Sequence, residues 1–158
     1  MWKMAKIFML LLLIMLLLNG CNSIDTNDED IFQYKDSHVG DNSAVGNIVS
    51  QLPEGEYVNG FELQTNEEPY GIILNYQDIE TGDYKETAIN NAAFLFTLIH
   101  NVEWVTFIFD KEELTVTKEK LQKWYEADFS EFTNADDLNS FIQEHLQDDS
   151  EVEQYFEQ

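Results

Sequence analysis

The spacing of apolar residues after Asp41 predicts a helix followed by two paired strands. Four apolar residues recur at the period of a helix and share one of its faces: Val45, Ile48, Val49 and Leu52. Over residues 57–65 apolar and polar side chains alternate, which is typical of a half-buried strand, and residues 71–76 form a second apolar run. Residues 66–69 between them are enough for a hairpin connection. We therefore predict an antiparallel pair of strands.

A second helix is predicted over residues 86–100, and it is apolar on nearly every side. Asp83 and Glu86 have the spacing of a capping box at its beginning. Its apolar residues cover most of the circumference: Ile89, Ala92, Ala93, Leu95, Phe96, Leu98 and Ile99. Because a helix that is apolar all round is buried, we expect this one to be the central helix of the domain.

Residues 102–109 then predict a strand with apolar side chains on both faces, among them Phe107 on one and Trp104 on the other. Short elements follow: a strand at 114–117, helices at 117–125 and 135–147, and a last amphipathic turn around Tyr155. We expect these carboxy-terminal helices to cover the second face of the sheet. The order of elements predicts an α+β fold, a single compact domain with an antiparallel sheet of about four strands, a central buried helix and carboxy-terminal helices.

The start of the chain predicts a secretory signal followed by a lipid attachment site. Lys3 and Lys6 precede an unbroken apolar run at residues 7–18, which is shorter than the about 20 residues that a membrane-spanning helix needs. Residues 18–21, Leu-Asn-Gly-Cys, have the arrangement of a bacterial lipobox, which would place a lipid on Cys21. We predict a cleaved lipoprotein signal peptide at 1–20, a lipidated cysteine with an acidic tether at 21–30, and a globular domain at 31–158.

The charge balance of the chain argues against nucleic acids as partners. The chain has 31 Asp and Glu against eight Lys and no Arg, for a formal net charge of −23 at pH 7. Such a surface repels the phosphates of nucleic acids and the headgroups of anionic lipids, so contact with the lipid bilayer would depend on the lipid at Cys21. Cys21 is the only cysteine, and its lipidation leaves no thiol for a disulfide or a thiolate metal site. We assign no metal and no cofactor.

Residues 31–48 read Ile-Phe-Gln-Tyr-Lys-Asp-Ser-His-Val-Gly-Asp-Asn-Ser-Ala-Val-Gly-Asn-Ile, and they are followed by Gly-Phe-Glu-Leu-Gln-Thr at 60–65 and Pro-Tyr-Gly-Ile at 69–72. These stretches resemble the family called domain of unknown function 4825, over roughly residues 31–132. The resemblance implies a small lipoprotein of Bacillus-like bacteria or an extracytoplasmic segment beside a membrane sensor peptidase. It implies a signalling or envelope-stress role by association only, and it supplies no catalytic residues.

The polar loop at residues 36–41 is the best candidate for a functional site other than Cys21. It holds Asp36, Ser37, His38 and Asp41 within six residues. A serine, a histidine and an aspartate form a catalytic triad only in a spatial geometry that closeness in sequence does not establish. The same residues also suit an ordinary loop in which Asp41 caps a helix.

The other histidines and the acidic pairs favour structural roles. His100 falls in the last turn of the predicted central helix, where a cation stabilises the carbonyl end, and His145 lies on an apolar helix face. Neighbouring acids such as Glu67 and Glu68 are expected on a solvated surface, because 31 acids make such pairs frequent by chance. We therefore assign no catalytic residue.

The predicted function is that of a membrane-anchored lipoprotein on the outer, extracytoplasmic face of the cell membrane. Its domain would be a non-enzymatic binding or regulatory module that contacts another envelope protein, since the chain lacks an HExxH or a phosphate-binding glycine pattern. Two alternatives remain open. One is an enzyme acting on a cell-wall or peptide substrate, which would start from His38, and the other is a surface protein that binds divalent cations weakly.

Overall fold

The structure describes residues 30–79 and 83–157 of the chain. They form five α-helices and a four-stranded sheet. The structure is a computed structural model. The strands are β1 (Val58–Gln64), β2 (Gly71–Tyr76), β3 (Trp104–Ile108) and β4 (Glu113–Thr117). The helices are α1 (Asn42–Gln51), α2 (Tyr84–Leu98), α3 (Lys118–Tyr125), α4 (Ala135–His145) and α5 (Asp149–Glu157). These elements confirm the prediction of a single α+β domain.

Polar side chains cap the beginning of the first four helices. The Asp41 carboxylate accepts hydrogen bonds from the backbone N–H groups of Ser43 and Ala44 at 3.1 and 3.0 Å. Asp83 does the same at the start of α2, Thr117 at α3 and Asn134 at α4. Each cap satisfies N–H groups that have no partner within the helix, so the sequence itself decides where these helices begin.

The sheet has the order β1-β2-β3-β4 and differs from the predicted antiparallel sheet at its centre. β1 and β2 are antiparallel, as the hairpin-sized connection predicts, and so are β3 and β4. β2 and β3 are parallel, with Ile72 opposite Val105 and Leu74 opposite Phe107. The chain reaches β3 through α2, and a helical crossover of this kind brings the second strand back in the direction of the first. The sheet is therefore mixed.

The α2 helix is the centre of the core, as its apolar circumference predicts. Every residue from 88 to 98 is buried, and the side chains of Ala88, Ile89, Leu95 and Leu98 are fully so. One side of α2 packs on β3 and β4, and the other side packs against α3, α4, α5 and the turn at Phe129–Glu131. The helix is thus a middle layer between the sheet and the carboxy-terminal helices, which explains why it has no polar face.

The prediction that the carboxy-terminal helices cover the second face of the sheet is wrong, because they cover α2 instead. On that outer face of the sheet Ile73, Trp104 and Ile108 are half-buried, while alternate residues of β4 are exposed. The strands cover part of this face themselves. The Trp104 ring lies across Gly71, where a β-carbon would come within 2.1 Å of it, and the hydroxyls of Thr106 and Thr115 are hydrogen-bonded at 2.8 Å.

Two asparagines of α2 form a polar network inside the core. Asn91 is fully buried, and its amide nitrogen donates to the Pro53 carbonyl at 2.9 Å and to the Tyr76 hydroxyl at 3.1 Å. The Asn90 amide in turn donates to the Asn91 side-chain oxygen at 3.0 Å. The network joins α2 to β2 and to the loop after α1. Because a buried amide needs its hydrogen bonds, it also fixes how α2 is rotated against the sheet.

The phenols of Tyr76, Tyr125 and Tyr155 predict alkaline unfolding. Burial raises the pKa of Tyr76 to about 12, against the opposing effect of the Asn91 hydrogen bond, and burial also raises the pKa of Tyr125 and Tyr155. A phenol in an unfolded chain has a pKa of about 10. The stability that these three buried, neutral phenols contribute is therefore fully present below pH 10 and is lost as the pH rises toward 12.

We expect the tyrosinate absorbance of these three buried phenols to appear only together with the loss of far-ultraviolet circular dichroism as the pH is raised. If the three phenols ionised near pH 10 while the dichroism stayed unchanged, they would not be buried in solution.

Lysine side chains attach α5 to the rest of the domain. Lys85 of α2 contacts the carboxylate of Glu153, and Lys120 of α3 donates to the Tyr155 carbonyl with its ammonium 4.4 Å from the centre of that ring. The last helix has nine residues, so it is longer than the single amphipathic turn predicted.

No helix within residues 30–79 and 83–157 has both the length and the apolar character needed to cross a membrane.

Candidate functional site

The loop at residues 36–41 lies against the segment that follows α2. The backbone N–H of Ser37 donates to the Leu98 carbonyl at 3.1 Å, and the N–H of His100 donates to the Ser37 carbonyl at 2.8 Å. The N–H of Val39 donates to the side-chain oxygen of Asn101 at 2.8 Å. These bonds bring two loops that are about sixty residues apart in sequence into one surface.

Within the loop, the serine and one aspartate are already committed to the backbone. The Ser37 hydroxyl donates to the Tyr34 carbonyl at 2.6 Å, and the Asp41 carboxylate caps α1. Asp36 is exposed and has a backbone φ of 65°, in the left-handed region that Asp tolerates better than most residues. Ser37, His38 and Asp41 are therefore not joined by the hydrogen bonds that a nucleophile, base and orienting carboxylate require.

The His38 side chain is exposed and its ring lies beside that of His100, with the two centroids 5.8 Å apart and the planes tilted by 53°. The structure corrects the position of His100, because α2 ends at Leu98 and His100 stands in the turn after it. The helix ends early since its hydrogen bonds give way to the bridge between Ser37 and Ile99. The turn directs an exposed His100 toward solvent at the point where a groove begins.

An open groove of about 680 Å³ separates the residues before β2 from the residues before β3. Six residues line it: Glu68, Pro69, Tyr70, His100, Asn101 and Glu103. Its two walls are joined by backbone and side-chain hydrogen bonds, since the N–H of Glu103 donates to the Tyr70 carbonyl and the Trp104 indole N–H donates to the Pro69 carbonyl, both at 2.9 Å. The groove is therefore held at the amino-terminal ends of the parallel strands.

The groove presents anionic and aromatic chemistry together. The side chains of Glu68 and Glu103 are exposed, and Tyr70 is half-buried with its ring packed at the edge of the core. The nearby Lys118 ammonium donates to the His100 carbonyl at 3.4 Å. Carboxylates attract cations, and the face of a tyrosine ring attracts them as well. The arrangement suits binding of a positively charged group.

Metal ligation has no support in the part of the chain that the structure describes, where no three or more His, Cys, Asp or Glu side chains are placed to hold one ion. His145 lies half-buried in an aromatic cluster, with its ring centroid 4.7 Å from that of Phe141 and 4.9 Å from that of Tyr125. Its Nδ1 is 3.0 Å from the Phe141 carbonyl oxygen. It packs where an apolar helix face predicts it.

The groove was not predicted, although its members carried a weak signal. Glu68 belongs to an acidic pair that we expected on a solvated surface, and it is exposed, but on the wall of a concave site. Asn101 and Glu103 are polar interruptions in the apolar stretch between α2 and β3. Polar residues immediately before two strands that turn out to be neighbours are the pattern that could have marked the site.

Several predictions lie outside the described residues. They are the signal peptide at residues 1–20, the lipid on Cys21 and all of the acidic tether except its last residue, Asp30. Asp30 begins the described part of the chain, where its carboxylate accepts a hydrogen bond from the N–H of Phe32 at 3.0 Å. This bond starts the short 3-10 helix Ile31–Tyr34, which lies next to α1.

Comparison with known proteins identifies the family but no relative of known function. No curated protein and no solved structure matches this chain. The family described as Domain of unknown function (DUF4825) matches residues 31–122, which is more than half of the chain and ends within α3. The match includes the loop at residues 36–41 and all six residues of the groove, and it confirms the resemblance seen in the sequence. The chain therefore belongs to the DUF4825 family.

Proposed function

We propose that this protein is a lipid-anchored lipoprotein on the extracytoplasmic face of the cell membrane, and that its domain binds another envelope protein. The observation that supports binding is the open groove of about 680 Å³ between residues 68–70 and 100–103. A concave surface with a few convergent polar groups is the usual form of a binding site. The lipobox at residues 18–21 supports the anchor.

The chemistry of the His38 loop favours binding over catalysis. Its serine hydroxyl and its Asp41 carboxylate are used by backbone groups, so the loop stabilises the start of α1 and the turn after α2. The His38 ring is left beside His100 at one end of the groove. In this position it can contact a bound partner without a catalytic role.

The lipid anchor predicts the behaviour of a Cys21→Ser variant. A single acyl chain gives marginal membrane binding, and stable anchoring needs a second signal, which the additional acyl chains of a lipoprotein supply. We expect the wild-type chain to sediment with membranes after a high-salt wash and the Cys21→Ser variant to leave them. A serine variant that stayed with the membrane through the wash would contradict the lipoprotein proposal.

Partner binding is tested by crosslinking in the same cells. A photoreactive residue at position 67, directly beside the groove, is expected to give an adduct with one envelope protein. The matched control places it at position 144, which is exposed on α4. The control is expected to give no such adduct. Absence of any specific adduct from either position would overturn the binding proposal.

A further inference from the structure

We propose that the groove binds an extended peptide segment of the partner protein and holds a lysine or arginine side chain of that segment between Glu68 and Glu103. This inference rests on the proposed function and specifies the chemistry of the partner. It follows from three features of the groove: its unpaired carboxylates, its aromatic wall and one side-chain amide with two free N–H donors.

The carboxylates of Glu68 and Glu103 form no ion pair within the described part of the chain. The ion pair found there joins Lys85 to Glu153, on α2 and α5. Lys118 lies beside the groove and directs its ammonium to the His100 carbonyl. With a formal net charge of −23 the whole protein attracts cationic segments, and a concave site concentrates that attraction. A basic side chain is therefore the complementary occupant.

The wall of the groove suits the stem as well as the head of such a side chain. Tyr70 is half-buried and follows Pro69, so the two rings offer apolar surface next to the carboxylates. Lysine and arginine carry a methylene stem that packs on apolar surface while the charged head stays near water. A cation over the face of a tyrosine ring gains further attraction. A small inorganic cation would use the carboxylates and leave this wall empty.

The side-chain amide of Asn101 indicates that the ligand is a peptide rather than a free amine. Its oxygen accepts the hydrogen bond from the N–H of Val39, which sets the orientation of the amide. Its nitrogen then carries two N–H donors that no partner uses within the described residues. A donor on the wall of a groove binds a carbonyl oxygen, and a peptide backbone supplies carbonyls beside each basic side chain. Cation and carbonyl recognition together define a basic peptide segment.

The probe is the capped pentapeptide acetyl-Gly-Ser-Lys-Ser-Gly-amide, titrated into the isotope-labelled full-length chain in detergent micelles. We expect saturable shifts of the backbone amide signals of Tyr70, His100, Asn101 and Glu103. Two reference ligands separate the sources of binding: the same peptide with norleucine in place of lysine, and butylammonium, which has the charge but no peptide backbone. Both are expected to bind more weakly by about tenfold or more, since each lacks one of the recognised groups.

Charge-matched variants separate the groove from the general acidity of the surface. The double variant Glu68→Gln with Glu103→Gln is expected to weaken binding of the pentapeptide by about tenfold, because both carboxylates that would contact the cation are lost. The control double variant Glu144→Gln with Glu151→Gln removes the same charge from exposed positions on α4 and α5. The control should change the affinity by less than about twofold, because surface charges far from the site are screened by salt.

Three results would overturn the inference: equal weakening by the two double variants, equal binding of the norleucine peptide, or equal binding of butylammonium. The first would indicate attraction by net charge alone, the second an apolar site and the third a site for simple amines. Each outcome is independent of the crosslinking experiment. If a partner were crosslinked from position 67 but the pentapeptide did not bind, the proposed function would be retained. Only the inference of a basic peptide segment would then be rejected.

Discussion

Replacing Phe96 by alanine is expected to lower the free energy of unfolding by about 3–5 kcal/mol, a large part of the total of a domain of this size. Phe96 is 2% exposed on α2, and its ring lies 6.2 Å from that of Phe129, which is fully buried. The substitution leaves a cavity between α2 and the turn that carries Phe129. Because both sides of α2 are packed, the surroundings cannot close around it.

The measurement is the denaturant midpoint and slope of the purified protein, with His38→Ala as the control. The His38 side chain is exposed and its ring lies beside that of His100, so the free energy of unfolding of the His38→Ala variant should stay within about 0.5 kcal/mol of the wild-type value. A small loss of stability in Phe96→Ala would mean that α2 is not the centre of the core. A large loss of stability in His38→Ala would mean that this side chain belongs to a buried network, and it would favour the enzymatic alternative.

Replacing Gly55 by alanine is expected to cost about 1–3 kcal/mol or more, although only one methyl group is added. A β-carbon at Gly55 would lie 2.3 Å from the carbonyl oxygen of Val49 and 3.2 Å from the carbonyl carbon of Ser50. Both atoms belong to the backbone at the end of α1, so the clash cannot be relieved by rotating a side chain. The end of α1 or the entry into β1 must move.

Gly40→Ala is the matched control for this effect. A β-carbon at Gly40 would meet nothing within 4 Å, and no glycine among the described residues has a positive φ. The alanine should be neutral or stabilise by about 0.4–1 kcal/mol, because it restricts the unfolded chain. Equal thermal midpoints for Gly55→Ala and the wild type would show that the loop after α1 is looser than the structure has it.

The sequence predicted the middle layer of the fold better than the outer layers. The apolar circumference of α2 is a property of consecutive residues, and its burial is confirmed from Ala88 to Leu98. The elements that cover it are not encoded in the same way. An apolar face shows that a partner is needed but does not identify the partner, so α3, α4 and α5 could be assigned to the sheet when they in fact pack on α2.

Strand direction shows the same limit. The short connection at residues 65–70 allows only an antiparallel pair, and β1 and β2 are antiparallel. Between β2 and β3 the chain passes through a helix, and both directions are then compatible with the alternation of side chains. Packing of α2 across the sheet decides for the parallel arrangement. The polar residues Asn90 and Asn91 gain their role only there, because Tyr76 lies on β2.

The amino-acid sequence by itself determined the helix caps at Asp41, Asp83 and Thr117, the buried helix and the family of the chain. These depend on hydrogen bonds and periodicity among residues close in sequence. The groove depends on residues 68–70 and 100–103, which are separated by β2 and α2. Only the parallel register of β2 and β3 places Tyr70 beside Glu103, and the hydrogen bonds of Ser37 and Val39 with the segment after α2 bring His38 to His100. Contacts between distant segments follow from which apolar faces pack together, and that choice is made by the whole tertiary structure.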